Sequence, residues 1–181
     1  MAAGVGIASV FLSTRQHIAS WPTALVNVTL YGVYFFQQKL YALMGLQGFF
    51  AAVSLYGWYQ WLYGGESESQ LKVSHTPPRL GAALAALATL GTLVLARVLE
   101  RHTRDPQPWV DAALTAVSLV AQWMMARKLL ECWIIWIGVN LVSVPFFFLR
   151  AEYPTAVQYS AFLLLAVSGL SQWKRSLAAS S

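Results

Sequence analysis

The chain has 181 residues, of which 57% are hydrophobic and only 10% are charged. Soluble domains carry about 25% charged residues, so this composition, with a mean hydropathy of +0.54, predicts an integral membrane protein. The net charge of +5 does not indicate a nucleic-acid partner, because Lys and Arg occur singly or in pairs between apolar segments, as topology signals do. No polar stretch is long enough for a separate soluble domain.

Seven apolar segments follow one another along the chain and predict an all-α protein with seven transmembrane helices. They span residues 2–13, 20–36, 40–63, 80–99, 107–125, 129–149 and 153–173. A helix needs roughly 20 residues to cross the hydrocarbon core, so the first segment is short for this purpose.

The chain also matches itself at an offset of 112 residues, at residue types that seldom match by chance in an apolar protein. The pairs are Arg15 with Arg127, Trp21 with Trp133, Gly57 with Gly169, Gln60 with Gln172 and Trp61 with Trp173. Asn27 pairs with Asn140 if one residue is inserted. We infer a duplicated three-helix unit.

A single helix separates the two copies, so both enter the membrane in the same direction, as in SWEET-type sugar transporters. The expected division is repeat 1 at 1–64, a loop and linker helix at 65–106, repeat 2 at 107–176 and a tail at 177–181. Seven of the twelve Lys and Arg residues fall on the side that holds the C-terminus. This bias predicts a cytoplasmic C-terminus and an external N-terminus.

The most informative stretch is the start of the sixth segment, Glu131–Asn140. At 100° per helical residue, Trp133, Trp136 and Asn140 share one stripe, which suits a flat ligand with polar edges. Trp133, and to a lesser degree Trp136, also fits an interfacial aromatic belt. Asn140 has no such alternative, because an amide two turns below the surface needs a partner. Glu131 is interpreted as an acid that favours the helix N-terminus.

Other segments carry further polar residues: Asn27 and Tyr31 share a face of the second, Gln47 and Ser54 share a face of the third, and the seventh carries Gln158 and Tyr159. Taken singly, each fits an interhelical hydrogen bond, worth around 1 kcal/mol, as well as a substrate contact. Their occurrence in equivalent segments of two repeats favours a lined cavity. Trp61 is interpreted as a belt residue.

Enzyme chemistry and ion coupling find little support in the sequence. The histidines, His75 among them, fall in connecting segments, and no nucleotide-binding loop or catalytic motif is present. The lone Cys132 excludes an intrachain disulfide and a thiolate metal cluster. No metal site and no cofactor are expected. Asp111 is interpreted as a first-turn acid and not as a proton carrier. We therefore expect uncoupled, facilitated diffusion.

Several motifs resemble the PnuC family of vitamin transporters over about residues 4–175. They are Asn27-Val28-Thr29-Leu30-Tyr31-Gly32, Gln38-Lys39-Leu40-Tyr41-Ala42, Tyr56-Gly57-Trp58-Tyr59-Gln60-Trp61, Pro108-Trp109-x-Asp111 and Glu131-x-Trp133-x-x-Trp136-x-x-x-Asn140. The resemblance implies a SWEET-like 3+1+3 fold, uptake of nicotinamide riboside across the lipid of a bacterial inner membrane, a homotrimer, and trapping by a cytoplasmic kinase.

The resemblance also maps a substrate site onto Trp133 and Trp136, with amides at Asn140 and Gln47. The full predicted substrate-binding set is Trp133, Trp136, Asn140, Gln47, Asn27, Ser54 and Tyr159. Ser54 and Ser168 stand where relatives carry Asn, so the vitamin stays open, with thiamine as the first alternative and riboflavin or deoxynucleosides as others. A different class, a non-transporting membrane scaffold, would have its cavity filled by side chains.

Overall fold

The computed structural model describes residues 2–37, 39, 41–66, 69–103 and 107–179, and Gln38 and Leu40 of the motifs above lie outside them. The described chain is all-helical, which confirms the fold class. Its helices are α1 (Ala2–Thr14), α2 (Ser20–Gln37), α3 (Tyr41–Tyr63), α4 (Pro78–His102), α5 (Pro108–Ala126), α6 (Cys132–Leu149) and α7 (Tyr153–Ala179).

The helices begin and end close to the predicted positions. Pro78 and Pro108 open α4 and α5, where a missing backbone N–H costs nothing. Helix α7 runs on to Ala179, so most of the tail expected at 177–181 is helical. By length and composition, α4, α5, α6 and α7 can each cross a membrane, and α1 is a shorter apolar helix. The four-part division at residues 64, 106 and 176 stays a prediction.

Helix packing follows the duplicated arrangement. Within each repeat the first helix packs on the second and the second on the third. Between repeats, α1 packs against α7 and α5 packs against α3, so the first helix of each unit lies on the third helix of the other. The linker α4 packs along α5. This exchange of equivalent contacts is what an axis along the bundle produces.

The duplication extends to the turns that end the helices. Gln16 (φ 55°) and Lys128 (φ 48°) are 112 residues apart, and both adopt the left-handed conformation that follows a helix end. Lys39 and Ala151, each at φ 59°, form a second pair at the same offset. Non-glycine residues adopt this conformation uncommonly, so two matched pairs confirm the repeat at the level of backbone geometry.

Four buried indoles form a continuous group, here called the tryptophan cluster: Trp21, Trp61, Trp173 and Trp133. Ring centroids lie 5.2 Å apart for Trp21–Trp61, 6.0 Å for Trp61–Trp173 and 5.4 Å for Trp133–Trp173. The cluster lies at the end of the bundle where α2 and α6 begin and α3 and α7 end.

The cluster joins the two repeats by equivalent hydrogen bonds. Trp61 Nε1 donates to the Met125 carbonyl at 3.2 Å, and Trp173 Nε1 donates to the Ser13 carbonyl at 3.1 Å. Met125 and Ser13 are again 112 residues apart. Each bond therefore ties the third helix of one repeat to the first helix of the other.

Two glycines seat the remaining indoles. A Cβ on Gly57 would overlap the benzo edge of Trp21, and a Cβ on Gly169 would lie 2.6 Å from Trp133 Cε2. Both approaches are possible only because the glycines have no side chain. The Gly57–Gly169 match in the sequence thus reflects a packing requirement.

We expect Gly57→Ala and Gly169→Ala to destabilise the protein by about 1–3 kcal/mol, the usual cost of overpacking. Gly48→Ala and Gly138→Ala are matched controls, because a Cβ at either site meets nothing within 4 Å. In helices these controls should be neutral or stabilising by up to about 1 kcal/mol. Thermal unfolding of the purified variants in detergent measures the difference, and equal midpoints for all four would contradict the seating.

Candidate functional site

A cavity of about 330 Å³ lies between the two repeats. Its described lining comes from α1, α2 and α3 on one side and from α5, α6 and α7 on the other. The volume falls in the range of small-molecule sites. Trp21 and Trp133 of the tryptophan cluster line it, so the cavity begins directly above the cluster.

All seven residues of the predicted set line this one cavity. They are Asn27, Gln47, Ser54, Trp133, Trp136, Asn140 and Tyr159. The structure thus brings together residues that are up to 132 positions apart, such as Asn27 and Tyr159. That any of them contacts a ligand stays a prediction.

The belt alternatives do not agree with the structure. Trp133 is 1% exposed and faces the cavity and Gly169. The interpretation of Trp61 as a belt residue was wrong, since its indole is 2% exposed within the tryptophan cluster, with Lys128 Nζ 4.6 Å above the ring. Residues 71–76 and the α5–α6 connection pack over this end of the bundle, and such a tertiary contact has no local sequence signal.

The lining combines aromatic rings with uncharged polar groups. The aromatic residues are Trp21, Tyr31, Phe50, Trp133, Trp136, Tyr159 and Phe162. Amides come from Asn27, Gln47, Gln122, Asn140 and Gln158, and hydroxyls from Ser9, Ser13, Ser20, Ser54 and Ser118. The described lining contains no Asp, Glu, Lys, Arg or His; Asp111, in the first turn of α5, is not one of its residues, although its charge acts on the lining residue Tyr159. This chemistry suits a neutral or cationic flat molecule with polar edges.

Several buried polar atoms on lining residues have no hydrogen-bond partner within the described chain. They are Ser20 Oγ, Trp21 Nε1, Asn27 Oδ1, Trp133 Nε1, Trp136 Nε1 and Asn140 Oδ1. Leaving such a group unpaired costs about 1–3 kcal/mol. Their concentration around one cavity indicates groups that pair with a bound molecule or with water.

The sequence reasoning missed the walls contributed by α1 and α5. Ser9 and Ser13 lie four residues apart on α1, and Ser118 and Gln122 have the same spacing on α5. The sequence identified Trp21 only as the repeat partner of Trp133, not as a lining residue. The i, i+4 spacing of polar residues in two equivalent apolar helices was a signal that could have revealed both walls.

The α5–α6 connection, which leads directly into Trp133, is held by the loop before α4. Ser74 forms an isolated parallel bridge with Leu129, through Ser74 N–H to the Lys128 carbonyl at 3.1 Å and Leu130 N–H to the Ser74 carbonyl at 2.9 Å. Lys128 Nζ donates to the Leu71 carbonyl at 2.8 Å. Burial lowers the pKa of Lys128 to about 8.

Glu131 adds side-chain hydrogen bonds to this attachment. Its interpretation as an acid that favours the helix N-terminus did not include them. Its carboxylate accepts hydrogen bonds from Thr76 N at 2.8 Å and Thr76 Oγ1 at 2.6 Å, and lies 2.8 Å from His75 Nδ1. Burial opposes ionisation, but the hydrogen bonds from Thr76 and His75 outweigh it and lower the pKa of Glu131 to about 2. The carboxylate is therefore ionised at neutral pH.

Because the folded pKa of Glu131 is lowered, its stabilisation is complete above the ordinary value of 4.5 and is lost as pH falls toward 2. We expect Glu131→Gln to speed hydrogen exchange of residues 71–76 at neutral pH, relative to the exposed control Glu66→Gln. The difference should shrink as pH falls from 4.5 to 2. Equal exchange in the two variants at pH 7 would show that the carboxylate does not hold the loop.

Two like three-helix units around a central uncharged cavity, whose lining residues carry buried polar atoms without a partner in the described chain, are the arrangement of a membrane transporter.

Comparison with known proteins agrees with this class. The family model described as nicotinamide mononucleotide transporter matches residues 1–175. The nicotinamide riboside transporter PnuC of Escherichia coli is 30% identical over 193 residues, covering 93% of this chain and 81% of its own. The riboflavin/roseoflavin transporter RibM of Streptomyces davaonensis is 30% identical over 174 residues, covering 93% and 80%. A crystal structure of the vitamin B3 transporter PnuC superimposes with a TM-score of 0.77 at 25% identity, covering 99% and 81%.

The chain belongs to the nicotinamide mononucleotide transporter family, which includes PnuC. The resemblance inferred from the motifs is confirmed. The protein is a membrane transporter and not an enzyme.

Proposed function

We propose that this protein carries nicotinamide riboside into the cell by facilitated diffusion. The observation that carries the proposal is the convergence of the predicted residues on one uncharged, indole-lined cavity. A pyridinium cation suits the face of Trp136, and the amides of Asn140 and Gln47 suit the polar groups of the ligand. The PnuC relative from Escherichia coli, named for this substrate, supports the choice.

The riboside fits the cavity better than the mononucleotide in the name of the family model. A phosphate group carries close to two negative charges, and burying it without a cationic partner is costly. The described lining offers no Lys or Arg for that purpose. A free hydroxyl in place of the phosphate can pair with the neutral amides and serines.

Riboflavin is the second candidate, because RibM has the same 30% identity to this chain as PnuC of Escherichia coli, over a somewhat shorter alignment. Thiamine, also cationic and aromatic, remains the alternative suggested by the shorter Ser54 and Ser168. The scaffold alternative required a cavity filled by side chains, whereas 330 Å³ is open here.

Three further parts of the proposal rest on the family resemblance and the charge bias. We propose that the protein is a homotrimer in the lipid of the bacterial inner membrane, with its N-terminus outside and its C-terminus in the cytoplasm. We also propose that cytoplasmic phosphorylation traps the imported substrate. The phosphorylated product would carry the charge that the cavity does not compensate, so phosphorylation would prevent its return.

Substrate binding can be tested by titrating nicotinamide riboside, riboflavin and thiamine into the purified protein. Trp136→Ala should weaken riboside binding about tenfold by removing stacking and a cation–π contact of roughly 1–2 kcal/mol. Asn140→Leu should cost more than Asn140→Ser, because leucine leaves ligand groups unpaired. Trp123→Ala, outside the lining, is the control. Tighter binding of riboflavin or thiamine than of the riboside would replace the proposed substrate.

Uncoupled transport is the expected consequence of a cavity whose described lining has no carboxylate. Proteoliposomes should equilibrate labelled riboside at a rate that a proton or sodium gradient does not change. Protein-free liposomes with the same gradients provide the baseline. With the membrane potential held at zero, because the riboside is itself a cation, accumulation of free riboside driven by either gradient would show a coupling site that the described residues do not display.

A further inference from the structure

The two halves of the cavity are equivalent in backbone but not in side chains. Ala24 of α2 stands 112 residues before Trp136 of α6, and both line the cavity. Ser13 of α1 is likewise equivalent in the repeat to Met125 of α5, and both line the cavity. The α6 half therefore has a second indole, whereas the wall formed by α1 and the start of α2 has small and hydroxyl-bearing residues.

The polar atoms of this α1–α2 wall are buried, and two of its hydroxyls are held by hydrogen bonds. Ser9 Oγ donates to the Ser20 carbonyl at 2.9 Å, and Ser13 Oγ donates to the Ser9 carbonyl at 3.0 Å. Both hydroxyl oxygens retain acceptor capacity. Ser20 and Trp21 are each 2% exposed, and their Oγ and Nε1 atoms have no hydrogen-bond partner within the described chain.

The wall thus offers a donor at Trp21 Nε1, a donor and acceptor at Ser20 Oγ, and an acceptor at Asn27 Oδ1. A row of uncharged donors and acceptors suits hydroxyl groups, each of which can donate and accept. Trp133 Nε1 and Asn140 Oδ1 offer an equivalent donor and acceptor on the α6 wall, so the hydroxyls of Ser9, Ser13 and Ser20 are what distinguish the α1–α2 wall.

We propose that Ser20 and Trp21, with Asn27, form a polyol subsite that binds the sugar or sugar-alcohol hydroxyls of the substrate. The α6 wall with Trp133 and Trp136 takes the aromatic ring. This inference rests on the proposed function, since it assigns the two parts of a ring-and-polyol vitamin to two walls. Nicotinamide riboside and riboflavin share that composition, so the subsite binds the part that the two molecules have in common.

The test compares each vitamin with a ring-only analogue that lacks the hydroxyls. The probe pairs are nicotinamide riboside with 1-methylnicotinamide and riboflavin with lumiflavin, and weak ring-only binding is measured by displacement of labelled vitamin. Ser20→Ala and Trp21→Phe should each weaken vitamin binding about three- to tenfold, the effect of one neutral hydrogen bond. Binding of the ring-only analogue should change less than twofold.

Trp133→Phe is the matched control, because it removes the equivalent indole N–H from the ring-binding wall. It should weaken the vitamin and its ring-only analogue by similar factors. Ser20→Ala removes a hydroxyl without a protein partner, so its thermal midpoint should equal that of the parent.

Two outcomes are distinguishable. A parent protein that does not bind nicotinamide riboside contradicts the proposed function. If the parent binds either vitamin, the polyol subsite is overturned when Ser20→Ala and Trp21→Phe leave vitamin binding unchanged. It is equally overturned when they weaken the vitamin and its ring-only analogue by the same factor.

Discussion

The tryptophan cluster is the interaction on which the arrangement of the two repeats depends. Its indoles join α2, α3, α6 and α7, and its two N–H donors reach the carbonyls of Met125 and Ser13 on α5 and α1. Edge-to-face aromatic pairs contribute about 0.5–1.5 kcal/mol each beyond burial. Between helices in lipid, where burial itself gives little, such packing and hydrogen bonding decide how the units associate. The cavity begins above the cluster because the rings fill the space between the repeats below it.

Helix positions and the repeat could be predicted from the sequence because both leave periodic signals. Apolar runs of helical length mark the spans, and residues with irreplaceable packing roles, such as Gly57 and Gly169, mark the duplication. The α6 stripe was also readable, since Trp133, Trp136 and Asn140 share one helical face whatever the rest of the chain does. Local geometry and the family resemblance together thus gave the predicted site residues, and the structure places them around one cavity.

Tertiary contacts explain what the sequence could not show. Trp61 near a helix end has the signature of an interfacial residue, and only the packing of the α5–α6 connection and residues 71–76 reveals it as buried. Serines such as Ser9 and Ser13 in a short apolar helix equally fit interhelical hydrogen bonds. Their position on the same cavity as Asn27 and Gln122 follows from the association of α1 with the second repeat, which no local pattern encodes.

A duplicated fold supplies a symmetric passage, but a ligand with a ring at one end and hydroxyls at the other has no such symmetry. The two repeats differ at a few equivalent lining positions. Ala24 occupies the position equivalent to Trp136, and Gln47 the position equivalent to Tyr159. Backbone geometry stays matched to the level of the Gln16 and Lys128 turns, while the lining side chains diverge. The tryptophan cluster requires matching residues in both repeats, whereas binding one asymmetric molecule requires different residues on the two walls. The positions where equivalent lining residues differ are therefore where substrate choice within this family is expected to be decided.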